Sequence, residues 1–211
     1  MVFWLRRSSH LEKVWMDSTF REDAATPTRE VPRAFAEGQM TKDDAIKIAK
    51  DVLDYNPETG VLTWSKVSNR TDRFGMEAGW LDGTKGYRKI EIKGFSFRAH
   101  RICWLLAYGE YPKDEIDHIN GIKNDNRLIN LRQATHAQNC MNRKINFNNK
   151  VGYKGVHLRK DTKKYVSIIW KNGKCHYLGQ YDAPKQAHDA YVKASVVIHG
   201  EFANHGEFST I

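Results

Sequence analysis

The chain has 211 residues, 40% apolar and 28% charged, which excludes a wholly disordered polymer and allows one sizeable core or two small ones. Lys and Arg number 34 against 25 Asp and Glu, a formal net charge of +9 that favours a polyanionic partner. Three widely spaced cysteines, Cys103, Cys140 and Cys175, argue against a disulfide framework or a zinc site, and a reducing cytoplasm is the expected location. No run is apolar enough for a membrane span. Arg6, Arg7 and Glu12 interrupt the apolar start too early for a signal peptide.

Residues 1–40 carry six basic and six acidic side chains among Trp4, Trp15 and Phe20, with no sustained period. A loosely ordered tail is expected there. Thr41 fits a helix N-cap, with Asp43 and Asp44 in the first turn and Ala45, Ile46, Ile48, Ala49, Val52 and Leu53 as the apolar positions. Residues 56–60, NPETG, are turn chemistry, and residues 61–64 read as a strand. Short strands follow at 79–81, 87–92 and 95–98, the last two joined by Lys93-Gly94. Residues 99–108 read as a helix stopped by Gly109, its apolar side chains forming a core beneath the next segment. His100 is expected to be structural. Arg101 is a candidate phosphate contact, because a helix N-terminus favours anions.

Residues 115–143, EIDHINGIKNDNRLINLRQATHAQNCMNR, concentrate the polar chemistry. Asp117-His118 sits on a strand, a loop of Asn, Asp, Lys and Gly follows, and residues 130–134 read as a second short strand. Thr135 then caps a helix, with Gln138 at the capping-box spacing. Asn139 falls in the first turn, beside the positive end of the helix dipole. Such a ββ-helix unit can aim Asp117 and Asn139 at one spot with His118 beside it. Successive strand residues face opposite sides, so the strand must twist or end at His118. Two hard oxygen ligands suit Mg²⁺, which keeps most of its shell for water and phosphate. The metal stabilises charge on the leaving oxygen, and a neutral imidazole takes a proton from water.

The segments DHINGIKNDN and NLRQAT, with the Asn at 139, resemble the HNH homing-type endonucleases, the ββα-metal or His-Me finger nucleases. The resemblance implies Asp117 and Asn139 as metal ligands and His118 as general base. It implies that Asn130 braces the loop and orients the imidazole. The implied cofactor is a divalent ion, Mg²⁺ by default with Mn²⁺ as the alternative, and no zinc, since the paired cysteines of a zinc knuckle are missing. Arg132, inside the motif, is a candidate DNA contact. The sheet and helix before the motif also resemble this family, so the likeness spans about 44–143.

Residues 144–151 are polar and Asn-rich and read as a linker. Three strands follow, with Lys160 to Lys164 as a charged turn and Asn172-Gly173 as a hairpin turn. A helix starts near Pro184, with Ala187, Ala190, Tyr191, Ala194, Val197 and Ile198 as an apolar stripe ended by His199-Gly200. One helix covers one sheet face and leaves the other free. His157, Arg159, Lys163, Lys164, Trp170 and Tyr177 are the candidate DNA contacts of that free face, since a basic, aromatic-bearing sheet can enter a major groove. The segments YKGVHLRK, KKYVSIIWKNGK, YLGQYDAPKQAHDAYVKAS and HGEFAN resemble the ethylene-response-factor (Apetala-type) DNA-binding domain. His157 replaces the usual Arg and Tyr165 the usual Trp, so base preferences do not carry over.

The expected architecture is α+β: a small ββα-metal nuclease domain plus a three-stranded antiparallel sheet packed on one helix. The expected boundaries are a tail at 1–40, the nuclease domain at 41–143, a linker at 144–151 and the DNA-binding domain at 152–211. The expected function is metal-dependent hydrolysis of phosphodiester bonds in double-stranded DNA by a phage or mobile-element homing-type endonuclease. No membrane and no small-molecule cofactor is expected. Two rivals stand beside this reading. A catalytically silent DNA-binding regulator is disfavoured because Asp117, His118, Asn130 and Asn139 are all present. An RNA-directed binding protein or nuclease fits the charge equally well.

Overall fold

Thr41 opens the first helix, α1 (Lys42–Val52), through a reciprocal cap. Its Oγ1 accepts from the Asp44 backbone N–H at 3.2 Å, and its own N–H donates to Asp44 Oδ2 at 3.1 Å. The computed structural model describes residues 40–66 and 71–206, so the expected N-terminal tail lies, save Met40, outside the described residues. Ala45 and Ala49 are fully buried on the inner face of α1. The helix ends at Val52, one residue earlier than the apolar pattern predicts, because Leu53 turns extended. Leu53 begins β1 (Leu53–Asn56), which pairs antiparallel with β2 (Val61–Trp64) across the NPETG turn. The apolar pattern of the sequence extends the helix through Leu53 and shows no strand before the turn. The four-residue strand carries only one fully buried apolar side chain, too short a signal to register as alternation.

A second sheet orders β3 (Trp80–Leu81), β4 (Arg88–Ile92) and β5 (Phe95–Arg98) as an antiparallel meander. Its β4–β5 turn places Lys93 at φ 51° and Gly94 at φ 84°, the left-handed pair a tight two-residue hairpin requires. Strand β5 runs directly into α2 (Ala99–Tyr108), which stops at left-handed Gly109. Ile90, Phe97, Ile102 and Leu105 join Leu53 and Leu62 in one core, capped on the far side by Ile116 and Leu131. Those last two belong to a hairpin of β6 (Glu115–His118) and β7 (Leu131–Ala134), in register Asp117 to Arg132 and His118 to Leu131. The short helix α3 (His136–Met141) follows, with Thr135 and Gln138 making the predicted capping box.

The C-terminal part is a three-stranded antiparallel sheet, β8 (Val156–Leu158), β9 (Tyr165–Lys171) and β10 (Lys174–Tyr181), crossed by α4 (Pro184–His199). Val156, Ile169, Ala187 and Tyr191 are buried there, outside the first cluster. Both parts mix helix and strand, so the α+β class holds. The two parts touch. Lys154 Nζ donates to the carbonyls of Met141 at 2.9 Å and Arg143 at 2.7 Å. After α4, a 3-10 turn (Gly200–Phe202) brings the chain back against α3 and against Arg132 of β7. Among the described residues no helix is long and apolar enough to cross a membrane.

Candidate active site

Strand β6 ends at His118, as the sequence argument required, and its two polar side chains leave toward different neighbours. His118 is 4% exposed. Its ring stands edge-on to His100 with centroids 5.0 Å apart, and both rings lie near Tyr87, at 6.0 and 5.3 Å. Nε2 lies 3.1 Å from Asn126 Oδ1. An amide oxygen only accepts, so Nε2 carries the proton and Nδ1 keeps the lone pair of a neutral ring. Burial holds the imidazole below the usual histidine value, and the contact with Asn126 opposes this only in part. His100, at the start of α2, is held well below its usual value by burial and then by its neighbour His118. Two exposed cations flank this wall: Arg98 lies 4.2 Å and Lys123 5.0 Å from the Tyr87 ring centre.

The loop between the strands is held by its own amides and by the β1–β2 turn. Asn130 Nδ2 donates to the Asp125 carbonyl at 2.7 Å, and its Oδ1 accepts from the Asn120 N–H at 2.9 Å. Asn130 therefore braces the loop, whereas the partner of the imidazole is Asn126. Tyr55 donates to the Asn126 carbonyl at 2.8 Å, and the Leu128 N–H donates to the Pro57 carbonyl at 2.9 Å. Gly60 has φ 76°, and a Cβ there would sit 2.5 Å from the Arg127 nitrogen, so the turn can lie this close to the loop only with glycine.

Asp117 is 5% exposed and faces the other way. Its Oδ2 accepts from Arg132 Nε at 3.0 Å and Nη2 at 2.8 Å, and from Asn142 Nδ2 at 2.9 Å. Its Oδ1 accepts from Asn142 alone, at 3.1 Å. Asn139 is not the residue hydrogen-bonded to Asp117: its Nδ2 donates to Glu115, whose other oxygen lies 2.8 Å from His136 Nδ1. Those two contacts, Asn139 first, hold the Glu115 carboxyl below its usual value. Asn139 Oδ1 has no protein partner among the described residues. Asp117 Oδ1 and Asn139 Oδ1 thus each keep a lone pair and are hard oxygens of the kind Mg²⁺ or Mn²⁺ takes, though the two side chains share no hydrogen bond and have different partners. Among the described residues no three His, Cys, Asp or Glu side chains gather around a common point, so a cation here would draw much of its shell from water and phosphate.

The candidate DNA contacts divide into engaged and open groups. Arg101 is committed within its own fold, donating to the Tyr111 hydroxyl, the Asp114 carbonyl and the Pro112 carbonyl, which leaves little of the guanidinium for phosphate. Arg132 is likewise committed to Asp117 and to the Glu201 carbonyl. On the C-terminal sheet the side chains pair His157 with Val166, Ile168 with Tyr177 and Trp170 with Cys175, on the face away from α4. Trp170 is 58% and Tyr177 64% exposed, and His157, Arg159, Lys163 and Lys164 are exposed around them. Arg159 pairs with Asp161 at 2.5 Å and Lys164 with Asp182 at 3.1 Å, both in solvent, where such pairs exchange readily.

Asn126 and Asn142 both stand in the motif segment, yet their residue types and spacing alone do not tie them to the site. Asn126 closes the DHINGIKNDN block, so its presence was visible while its partner was not. Asn142 lies at the C-cap of α3, where no local pattern ties it to a strand.

Three comparisons bear on this geometry. The family model described as HNH endonuclease matches residues 97–141, from the end of β5 through α3. An uncharacterised HNH endonuclease of Acanthamoeba polyphaga mimivirus is 32% identical over 126 residues, 59% of this chain and 64% of that protein. Protein 3.8 of Escherichia phage T7 is 32% identical over 107 residues, half of this chain and 88% of that protein. The chain thus spans a little under two thirds of the mimivirus relative and most of the phage one. No solved structure matches it.

Proposed function

Starting from the fact that the chain belongs to the HNH endonuclease family, we propose that it is a metal-dependent DNA endonuclease with His118 as general base. The observation that carries this reading is the state of His118. The ring is buried against aromatic walls, kept neutral near pH 7, and oriented by Asn126 so that Nδ1 is free to accept a proton from water. Asp117 and Asn139 would hold the divalent ion through their open oxygens. A bound Mg²⁺ would supply positive charge for the leaving oxygen. Asn130 and the Gly60 turn keep the loop from shifting, and Arg98 and Lys123 are placed to receive phosphates beside the imidazole. The exposed aromatic and basic face of the C-terminal sheet would bind duplex DNA, consistent with the Apetala-type likeness of its segments. Relatives in a giant virus and a phage support a mobile-element setting.

The test is plasmid cleavage with and without Mg²⁺, with single-stranded and structured RNA as parallel substrates. His118→Ala should bind DNA and metal as the parent does while losing turnover on the order of 10²–10⁴-fold. Asp117→Ala should lose metal binding and cleavage together. Equal cleavage by the parent and both variants would defeat the assignment. Preferential cleavage of RNA would redirect the substrate.

A further inference from the structure

Residues 201–204 come from the C-terminal part, yet they end inside the polar network of the nuclease hairpin. Arg132, which grips Asp117 Oδ2 with two donors, gives its third to the Glu201 carbonyl at 2.5 Å. Its guanidinium carbon lies 3.8 Å from the centre of the Phe202 ring, which is 4% exposed. Asn142, the other partner of Asp117, is itself held by Asn204. Asn204 Nδ2 donates to the Asn142 carbonyl at 3.0 Å and to Asn142 Oδ1 at 3.1 Å. That second bond settles which way the Asn142 amide faces. With Oδ1 turned to a donor on Asn204, Nδ2 must face the carboxylate, where it also reaches the His118 carbonyl at 2.9 Å. Asn142 and Asn204 are both 6% exposed, so water cannot easily take over either role.

We infer that residues 201–204 form the outer shell of the nuclease centre, with Asn204 and Phe202 acting as positioning residues for Asp117 through Asn142 and Arg132. This rests on the reading of Asp117 as a metal ligand. The network is asymmetric in a useful way. Three donors fill Oδ2 and only one touches Oδ1, so the arrangement selects which carboxylate oxygen stays available and fixes its direction. Hydrogen bonding to a ligating carboxylate orients it, and loss of such a partner typically costs 10–100-fold in metal affinity. The part of the chain with the open basic sheet therefore also completes the centre that cuts.

The full-length protein carrying Asn204→Ala tests this, with Mn²⁺ alone as the probe, titrated by calorimetry without DNA. Mn²⁺ binding should weaken roughly 10-fold or more, and the Mg²⁺ needed for half-maximal plasmid cleavage should rise in parallel. Affinity for duplex DNA in EDTA should not change, since Asn204 does not lie on the open sheet face. Asn204→Asp, nearly the same shape, removes the donor to Asn142 and should show the same loss even if the alanine variant folds poorly. Phe202→Leu should give a smaller loss in the same direction. If Asn142 transmits the effect, Asn142→Ala and the Asn142→Ala/Asn204→Ala pair should weaken Mn²⁺ equally. Parental Mn²⁺ binding in Asn204→Asp and Phe202→Leu, with Asp117→Ala still inactive, would overturn the inference and leave the centre as proposed. Parental Mn²⁺ binding and cleavage in Asp117→Ala would overturn both.

Discussion

Asp117 and His118 are adjacent in the chain and depend on different parts of the molecule. The imidazole needs to be neutral and still, and nearby residues suffice: Asn126 eight positions on, with His100 and Tyr87 as walls from the preceding helix and loop. The carboxylate is only 5% exposed and paired with Arg132, and a buried ion pair requires several matched donors. It draws them from β7, from the end of α3 and, one layer out, from residues 201–204. A buried neutral group can be served locally, whereas a buried ion recruits a shell from wherever the chain can supply one.

The sharpest way to break this contrast is on the carboxylate side. Arg132→Ala leaves Asp117 buried without its main counter-charge, and loss of one member of such a pair costs about 3–5 kcal/mol. Urea unfolding should show that loss, and Arg132→Ala combined with Asp117→Leu should recover much of it. A midpoint unchanged in Arg132→Ala would mean that solvent reaches the carboxylate freely.

On the imidazole side, Asn126→Ala should release the tautomer at a cost of roughly 1–3 kcal/mol in the cleavage barrier, while Mn²⁺ binding stays parental. Loss of metal binding in that variant would show that the two sides are not separable.

Acid stability offers a third handle. Burial depresses His100 in the folded state, so below the unfolded value of about 6.5 the unfolded chain binds more protons than the native one. Stability is therefore complete above that pH and falls as the pH drops from there toward the folded value. His100→Gln should flatten the stability-against-pH curve between pH 7 and 5, measured by urea titration. An unchanged slope would place the acid sensitivity elsewhere, with His118 and then His199, both also depressed by burial, as the next groups to replace.

The smallest effect should come from the open sheet. Lys163→Ala should leave stability and metal binding alone and reduce the slope of log K against log salt for DNA binding by about 0.9. Arg159→Ala should instead relax selectivity at one base position in a cleavage-site profile. Unchanged profiles and slopes would mean that this face meets something other than DNA.

Local chemistry made much of this legible in the sequence. Thr41 and Thr135 cap where their spacing says they should, Gly109 and the Lys93-Gly94 and Asn172-Gly173 turns take left-handed backbone, and α4 carries its apolar stripe. The motif also located the strand that ends at His118. Two kinds of fact were hidden. Strand β1 is too short to show a period, so the hairpin that props the loop at Gly60 could not be read. Polar pairings between distant residues leave no local trace. Nothing near Asn142 or Asn204 announces their contact, and Arg132, a candidate DNA contact by sequence, is spent on Asp117, its partner on the neighbouring strand, a register that the residues between them do not reveal.

Residues 201–204 also set an order of events. Arg132 meets Glu201 across 69 positions and Asn142 meets Asn204 across 62. Contacts that close such long loops form late, after local hairpins and helices are in place. The β6–β7 hairpin and the His118 wall can assemble early from neighbours, while the shell around Asp117 waits for the second sheet and α4 to fold. A chain interrupted before that point would hold the His118 ring against its wall while Asp117 still lacked the outer half of its hydrogen-bond shell.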